Sequence, residues 1–370
     1  MKKISFVDLQ AQYRSMQSEI QSAFSDVLAS MQFIGGSQVD QFESDFAKFL
    51  GVKHAISVNS GTDALILGIR ALRLSPGDEV IVPVNTFYST AIAVVENKLK
   101  PVFVDCDETY GMSLPDLRRK ITHRTKAVIA VHLYGQPDNV DGIMAIIKDS
   151  KQKIVFIEDA CQAHGATYRS RSVGTFGTFA AFSFYPGKNL GAYGDGGAIV
   201  TNSDALAKEY RLLKQYGQTK KYHHITVGIN SRLDAIQAAI LRKKLQHLSE
   251  WNRLRCDHAR VYNHCLKGCH SIILPQILHG RRSVFHIYAI RTKRRDQLKA
   301  YLSTKGIETH IHYPIPLHRS PAFSYLGYKQ GDFPNAELYA RQLLSLPMYP
   351  ELTVHELHHI VQCICLWNQE

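Results

Sequence analysis

Lys188 lies in the stretch Phe182-Ser183-Phe184-Tyr185-Pro186-Gly187-Lys188-Asn189-Leu190-Gly191, behind an apolar run and ahead of Gly194, Gly196 and Gly197. A lysine amine held in such a loop and partly stripped of water becomes a nucleophile toward an aldehyde. Taken singly, a loop lysine is an ordinary surface residue. Asp159 ends the apolar run Ile157-Glu158-Asp159, and Ala160-Cys161-Gln162 follow. A carboxylate there could face a cationic ring nitrogen or cap a helix. In Ser57-Val58-Asn59-Ser60-Gly61-Thr62-Asp63, Gly61 permits close backbone approach where a helix would start, and free amides there attract a phosphate. The spacing of Ser60 and Asp63 equally suits a plain helix cap.

These residues need a scaffold that brings strand ends together, and the pattern around them supplies one. Short β-rich runs at Ala55 to Val58, Glu79 to Pro83, Pro101 to Asp105, Ala127 to His132, Ile154 to Glu158, Ala180 to Phe184 and Ala198 to Thr201 alternate with helical patterns. The helical patterns cover Asp63 to Leu72, Tyr88 to Asn97, Leu114 to Ile121 and Val140 to Lys148. Such alternation predicts an α/β fold with a mostly parallel sheet covered on both faces. Two helices are expected before it, over residues 13 to 31 and from Val39 to Leu50, with a break at Gly35-Gly36. A long helix from Asn230 to Trp251 leads to a smaller C-terminal α+β unit. There a strand at Phe285 to Arg291, a helix at Arg295 to Lys305, a Pro/His-rich loop at His310 to Pro321 and helices at Ala336 to Leu344 and Val354 to Trp367 are expected. The division is 1–35 (N-terminal segment and helix), 36–249 (large domain) and 250–370 (small domain). On one sheet the turn, the carboxylate and the lysine match the phosphate, ring nitrogen and aldehyde carbon of pyridoxal 5'-phosphate.

The same motifs resemble the DegT/StrS type of nucleotide-sugar aminotransferase, within the aspartate aminotransferase fold (fold type I). The likeness runs from Phe6-Val7-Asp8-Leu9 to Leu344-Ser345-Leu346-Pro347-Met348-Tyr349-Pro350. It implies that Lys188 is the Schiff-base lysine and Asp159 the acid paired with the pyridinium nitrogen. Gln162 then lies near the ring hydroxyl, Gly61, Thr62 and Ser183 hold the phosphate, and Phe87 stacks on the ring. Asn230 matches an asparagine that reaches the phosphate of the neighbouring subunit, which implies a homodimer with shared active sites. From the residues alone Asn230 reads as a helix cap, since Asn is a favoured capping residue and a helix follows. In the loop Ile311-His312-Tyr313-Pro314-Ile315-Pro316-Leu317-His318, His312 and Tyr313 are expected to face the sugar, with His318 capping a turn as the alternative. Tyr185 and Lys220 or Lys221 are further candidates for nucleotide-sugar contacts.

The resemblance further implies transfer of an amino group, with L-glutamate as donor, to C3 of a dTDP-3-oxo-6-deoxyhexose, giving a 3-amino-3,6-dideoxyhexose for polysaccharide biosynthesis. UDP-linked 3-oxo sugars of the N-acetylglucosamine uronate type are the neighbouring alternative. Relatives that are dehydrases carry histidine at the lysine position, and Lys188 argues against that branch. A lyase or desulfurase on the same cofactor stays open, with Cys161 as the thiol nearest the motif. So does a regulator that binds the cofactor without turnover.

Composition narrows the remaining classes. The 370 residues are 45% hydrophobic and 21% charged, enough for a large core. No apolar run reaches the roughly 18 residues of a membrane helix, and Met1-Lys2-Lys3-Ile4-Ser5 lacks a secretory stretch, so a cytoplasmic location without membrane association is expected. The net charge of +12 is spread among acids, and its sharpest cluster, Arg291, Lys293, Arg294 and Arg295, suits a solvated strand end or an anionic small substrate better than nucleic acid. Seven cysteines on a long chain suit reduced thiols. Neither Cys265/Cys269 nor Cys363/Cys365 has a partner pair at zinc-motif spacing, and neighbouring histidines such as His223-His224 and His358-His359 diverge, so no metal is expected.

Overall fold

The computed structural model describes residues 3–368. Its centre is a seven-stranded sheet of β1 (His54–Val58), β2 (Glu79–Pro83), β3 (Lys100–Val104), β4 (Thr125–Val131), β5 (Val155–Asp159), β6 (Phe179–Ser183) and β7 (Gly197–Thr201). The spatial order is β1-β7-β6-β5-β4-β2-β3, and only β7 runs against the rest. Apolar runs such as Val80-Ile81-Val82 are fully buried because helices cover both faces. The flanking helices include α1 (Leu9–Ser15), α2 (Gln17–Ser30), α3 (Ser37–Leu50), α4 (Gly61–Ala71), α5 (Tyr88–Glu96), α6 (Leu114–Lys120), α7 (Val140–Asp149) and α8 (Asp204–Leu213).

Register decides which residues share the carboxyl edge of the sheet. Asp159 lies beside Val131 on one side and Ala181 on the other. Gly197 lies beside both Val58 and Ser183. The ends of β1, β5 and β6 are thereby brought to one rim, where open α/β sheets bind ligands.

Helix α9 (Ala235–Leu266) corrects the sequence expectation at both ends. It starts at Ala235 with Asp234 as N-cap, five residues beyond Asn230, and runs well past Trp251 and across the expected boundary at 249/250. Beyond Trp251 its inward face carries Asn252, Arg255 and His258, all buried, so the apolar periodicity is interrupted before Ala259, Tyr262 and Leu266 resume it. Helix α8 escaped the sequence reading. The segment 13 to 31 is two helices, broken at Met16.

After α9 come β8 (Tyr288–Arg291), α10 (Arg295–Thr304), α11 (Pro334–Gln342), β9 (Leu343–Leu346) and α12 (Val354–Trp367). The expected helix end at Leu343 and Leu344 is instead the start of β9, antiparallel to β8. Ile4 packs with Tyr262, Leu298, Leu344 and Ile360 in this C-terminal core, so the first residues return to the last lobe. All seven cysteines are free, and the two pairs that sequence spacing kept apart meet there, with Cys269 Sγ 3.4 Å from Cys365 Sγ. Among the described residues no helix is long and apolar enough to cross a membrane.

Candidate active site

Ser60 caps α4, its hydroxyl accepting the Asp63 amide at 3.1 Å. The cap and the anion-attracting turn therefore coexist, with Gly61 and Thr62 as the first helical residues. Gly61 cannot carry a side chain, since a Cβ would lie 2.7 Å from Ser183 Cβ and 2.9 Å from Cys161 Sγ. The turn, the end of β6 and the turn after β5 are thus in contact. The Thr62 hydroxyl shares a 2.7 Å hydrogen bond with Ser89.

Asp159 is buried and caps no helix, because residues 160–166 form turns. Its Oδ2 accepts the Thr90 hydroxyl at 2.7 Å and its Oδ1 the Cys161 amide at 3.2 Å. Gln162 lies in the same turns rather than one helical turn on. It accepts the Tyr134 amide at 2.7 Å and donates to the Tyr313 hydroxyl at 3.1 Å. The Tyr313 ring packs 5.7 Å from Phe87, which is 53% exposed although large and apolar. An exposed aromatic at the N-cap of α5 offers a flat face to a planar ligand.

Lys188 is half-buried, its amide donating to the Tyr185 carbonyl at 2.8 Å. Burial lowers its ammonium pKa, while Cys161 and Asp159 oppose that shift. The Cys161 thiol is itself pushed well above its ordinary value by burial, so Asp159 is the formal charge acting on the amine. Three histidines feel Lys188. Burial takes His164 down to about 3 and His312 to about 4, and takes His286 well below its ordinary value, with Lys188 adding to each shift. Kept neutral, these three imidazoles add no positive charge beside Lys188.

The lysine loop is carried by α9. Asn252 accepts the Asn189 side-chain amide at 2.8 Å, Lys244 Nζ donates to the Gly191 carbonyl at 2.8 Å, and Gln237 accepts the Tyr193 amide at 2.8 Å. The loop with His312 and Tyr313 is pinned from two sides. His312 Nδ1 lies 2.9 Å from Ser345 Oγ on β9, and the Tyr134 hydroxyl donates to the His312 carbonyl.

Gly61, Thr62, Phe87, Asp159, Gln162, Ser183, Lys188, His312 and Tyr313 therefore surround one rim, with Tyr185, 60% exposed, beside them. Lys220 and Asn230 are exposed on a neighbouring segment and, among the described residues, hydrogen-bond to none of that group within one chain. The capping alternative for Asn230 falls, since Asp234 holds that place. His318 turns inward, its Nε2 2.9 Å from Glu337 Oε1 and its ring against Phe333. Sequence reading missed Thr90, Ser89, Tyr134, His164 and His286. The position of His164 within the Asp159 motif was the one available signal among them.

The donor set fits pyridoxal phosphate: helix-start amides for a dianion, a buried carboxylate for a ring nitrogen, an exposed aromatic face, and an amine with lowered pKa for an aldehyde.

Comparison with known proteins agrees with this chemistry. The chain is 43% identical over 362 residues to the dTDP-3-amino-3,6-dideoxy-alpha-D-galactopyranose transaminase of Aneurinibacillus thermoaerophilus, covering 98% of each. It is 42% identical over 366 residues to the UDP-2-acetamido-2-deoxy-3-oxo-D-glucuronate aminotransferase of Pseudomonas aeruginosa, covering 99% of this chain and 100% of that one. The crystal structure of S. venezuelae DesV in complex with a ketimine intermediate superposes with a TM-score of 0.97 at 41% identity, covering 100% of both chains. The family model described as DegT/DnrJ/EryC1/StrS aminotransferase matches residues 14–365, and the chain belongs to that aminotransferase family, whose cofactor is pyridoxal phosphate.

Proposed function

We propose that this enzyme transfers an amino group from L-glutamate to C3 of a dTDP-3-oxo-6-deoxyhexose, forming a 3-amino-3,6-dideoxyhexose, and that it works as a homodimer with shared sites. The observation that carries the sugar assignment is the 43% identity, over nearly the full length of both chains, to a transaminase named for such a product. A second reading, amination of a UDP-linked 3-oxo N-acetylglucosamine uronate, is favoured by the 42% identity to the P. aeruginosa protein.

When bound, pyridoxal phosphate supplies a ring that takes up the electron pair left as a proton departs the amino-bearing carbon. The protein does the rest. Gly61, Thr62 and Ser183 hold the phosphate, and Phe87 covers the ring face. Asp159, kept in place by Thr90, holds the proton on the ring nitrogen. Gln162 and Tyr313 fix the ring hydroxyl side. Lys188 would hold the aldehyde end of the cofactor, and its free amine would take up and return the proton as general base and acid. Burial weakens the hold of Lys188 on its proton and so favours the free amine. His312, Tyr313, Tyr185 and Lys220 line the sugar side. Asn230 crosses to the partner's phosphate, in accord with its exposed position and absence from its own chain's site.

A desulfurase role is disfavoured by Cys161. That chemistry needs a mobile thiolate, whereas this thiol is held protonated by burial and points at the Ala181 carbonyl at 3.6 Å. Product formation with glutamate in excess tests the sugar assignment. The dTDP-linked 3-oxo sugar is expected to turn over at least about tenfold faster, in kcat/KM, than the UDP-linked one, a difference of about 1.4 kcal/mol. Equal turnover, or preference for the UDP sugar, would overturn it.

A further inference from the structure

The segment Ile229 to Ser231 has two faces. Ser231 is completely buried, and its hydroxyl accepts the Asn59 amide at 3.1 Å while donating to Asp63 Oδ2 at 2.6 Å. It thereby grips both sides of the turn that carries Gly61 and Thr62. The Ser231 amide donates to the Lys214 carbonyl at 3.0 Å, and Lys214 Nζ donates to the Ser57 carbonyl at 2.6 Å and to Glu43 at 3.2 Å. Segment, turn and the end of β1 form one hydrogen-bonded unit. Asn230, the preceding residue, bridges to Gln215 through its backbone and is exposed. Successive side chains of an extended segment point to opposite sides. The same backbone therefore holds its own chain's phosphate turn with one residue and presents an amide outward with the next.

We infer that Ser231 is a positioning residue that couples the two cofactor sites of the dimer, by tying the phosphate turn of one chain to the asparagine that serves the other chain's phosphate. The coupling rests on the shared-site reading proposed above. A phosphate on the Gly61 and Thr62 amides orders the first turn of α4, which contains Asp63. Asp63 then holds Ser231, and Ser231 fixes where Asn230 is offered. Ordering accomplished by the first cofactor need not be repeated for the second, so the second binds more tightly. By linkage each cofactor raises the affinity of the other site by the same factor.

Hybrid dimers test the coupling on the holoenzyme. One protomer carries Lys188→Ala, which cannot form the Schiff-base linkage, so the Schiff-base absorbance reports cofactor release from the intact site of the other alone. Placing Ser231→Ala in the Lys188→Ala protomer is expected to speed release from the intact site at least about fivefold, the lower end of measured couplings. Asn230→Ala in the same protomer serves as the reference. If Asn230→Ala leaves release unchanged, the shared-site reading itself fails. If Asn230→Ala accelerates release and Ser231→Ala does not, or if Ser231→Ala acts only on its own site, the coupling is overturned. Should Ser231→Ala fail to fold, Asp63→Ala removes the same bond and is expected to act in trans, while Asp63→Asn, which keeps an acceptor, is not. Equal effects of the two Asp63 variants would contradict the inference.

Discussion

Lys188 draws its chemistry from what surrounds it. A loop lysine in water keeps its proton at neutral pH; here burial lowers that affinity, and the nearby imidazoles are neutral. Those imidazoles carry a consequence for stability. His164 is fully buried against the rings of Phe182 and Phe184, and its pKa falls to about 3 from an ordinary 6.5. Between those values the unfolded chain binds a proton that the folded chain refuses, so stability is full above about pH 6.5 and declines as pH falls toward 3. His164→Leu is expected to flatten that decline in urea unfolding measured from pH 7 to pH 4, by a few kcal/mol at the acid end, to order of magnitude. An unchanged pH slope would show that His164 does not take part. At this scale the sequence disclosed the residues that sit in local motifs: Lys188, Asp159, Gly61, Thr62 and Ser183. It did not disclose their supports. Thr90 meets Asp159 across 69 positions, and Tyr134 meets Gln162 across 28, and only the folded sheet brings such pairs together.

Helix α9 and the turn before α4 set the positions of these groups. The inward face of α9 offers Gln237, Lys244 and Asn252 to the lysine loop, so the helix acts as a rail along which residues 189–193 are hung. Polar residues in that role also hid half the helix from sequence reading, because a buried asparagine or arginine breaks the apolar period without breaking the helix. Most other strands and helices were legible to within a residue or two, since buried parallel strands leave short apolar runs between helical patterns. Strand β9 was hidden by following α11 directly, without an intervening turn. Asn252 links the Asn189 side chain to the His164 carbonyl, to which it donates at 2.8 Å. Asn252→Ala leaves buried polar groups without partners and is expected to cost about 1–3 kcal/mol of stability. It is also expected to lower kcat with less effect on KM, as thermal unfolding and steady-state rates would show. Wild-type stability and kcat together would mean that the rail does not hold the loop.

Across the whole molecule, the sheet rim gathers a helix-start turn, a buried carboxylate, an aromatic face and a lysine, while Lys220 and Asn230 stand apart on an exposed segment. The family likeness covers both lobes, so fold and cofactor were legible in the sequence; the nucleotide and sugar were not, because side chains that meet them come from separate loops and, in the proposed dimer, from two chains. The claim on which everything else depends is that Lys188 and its neighbours perform amino transfer. The most direct measurement adds L-glutamate alone to the holoenzyme and records the absorption spectrum. The pyridoxal band should give way to that of pyridoxamine phosphate, with one 2-oxoglutarate formed per site. Lys188→Ala should still bind the cofactor through the phosphate turn but convert it at least about a hundredfold more slowly. A spectrum left unchanged by glutamate and by every other amino acid tried, or full activity in Lys188→Ala, would contradict the account.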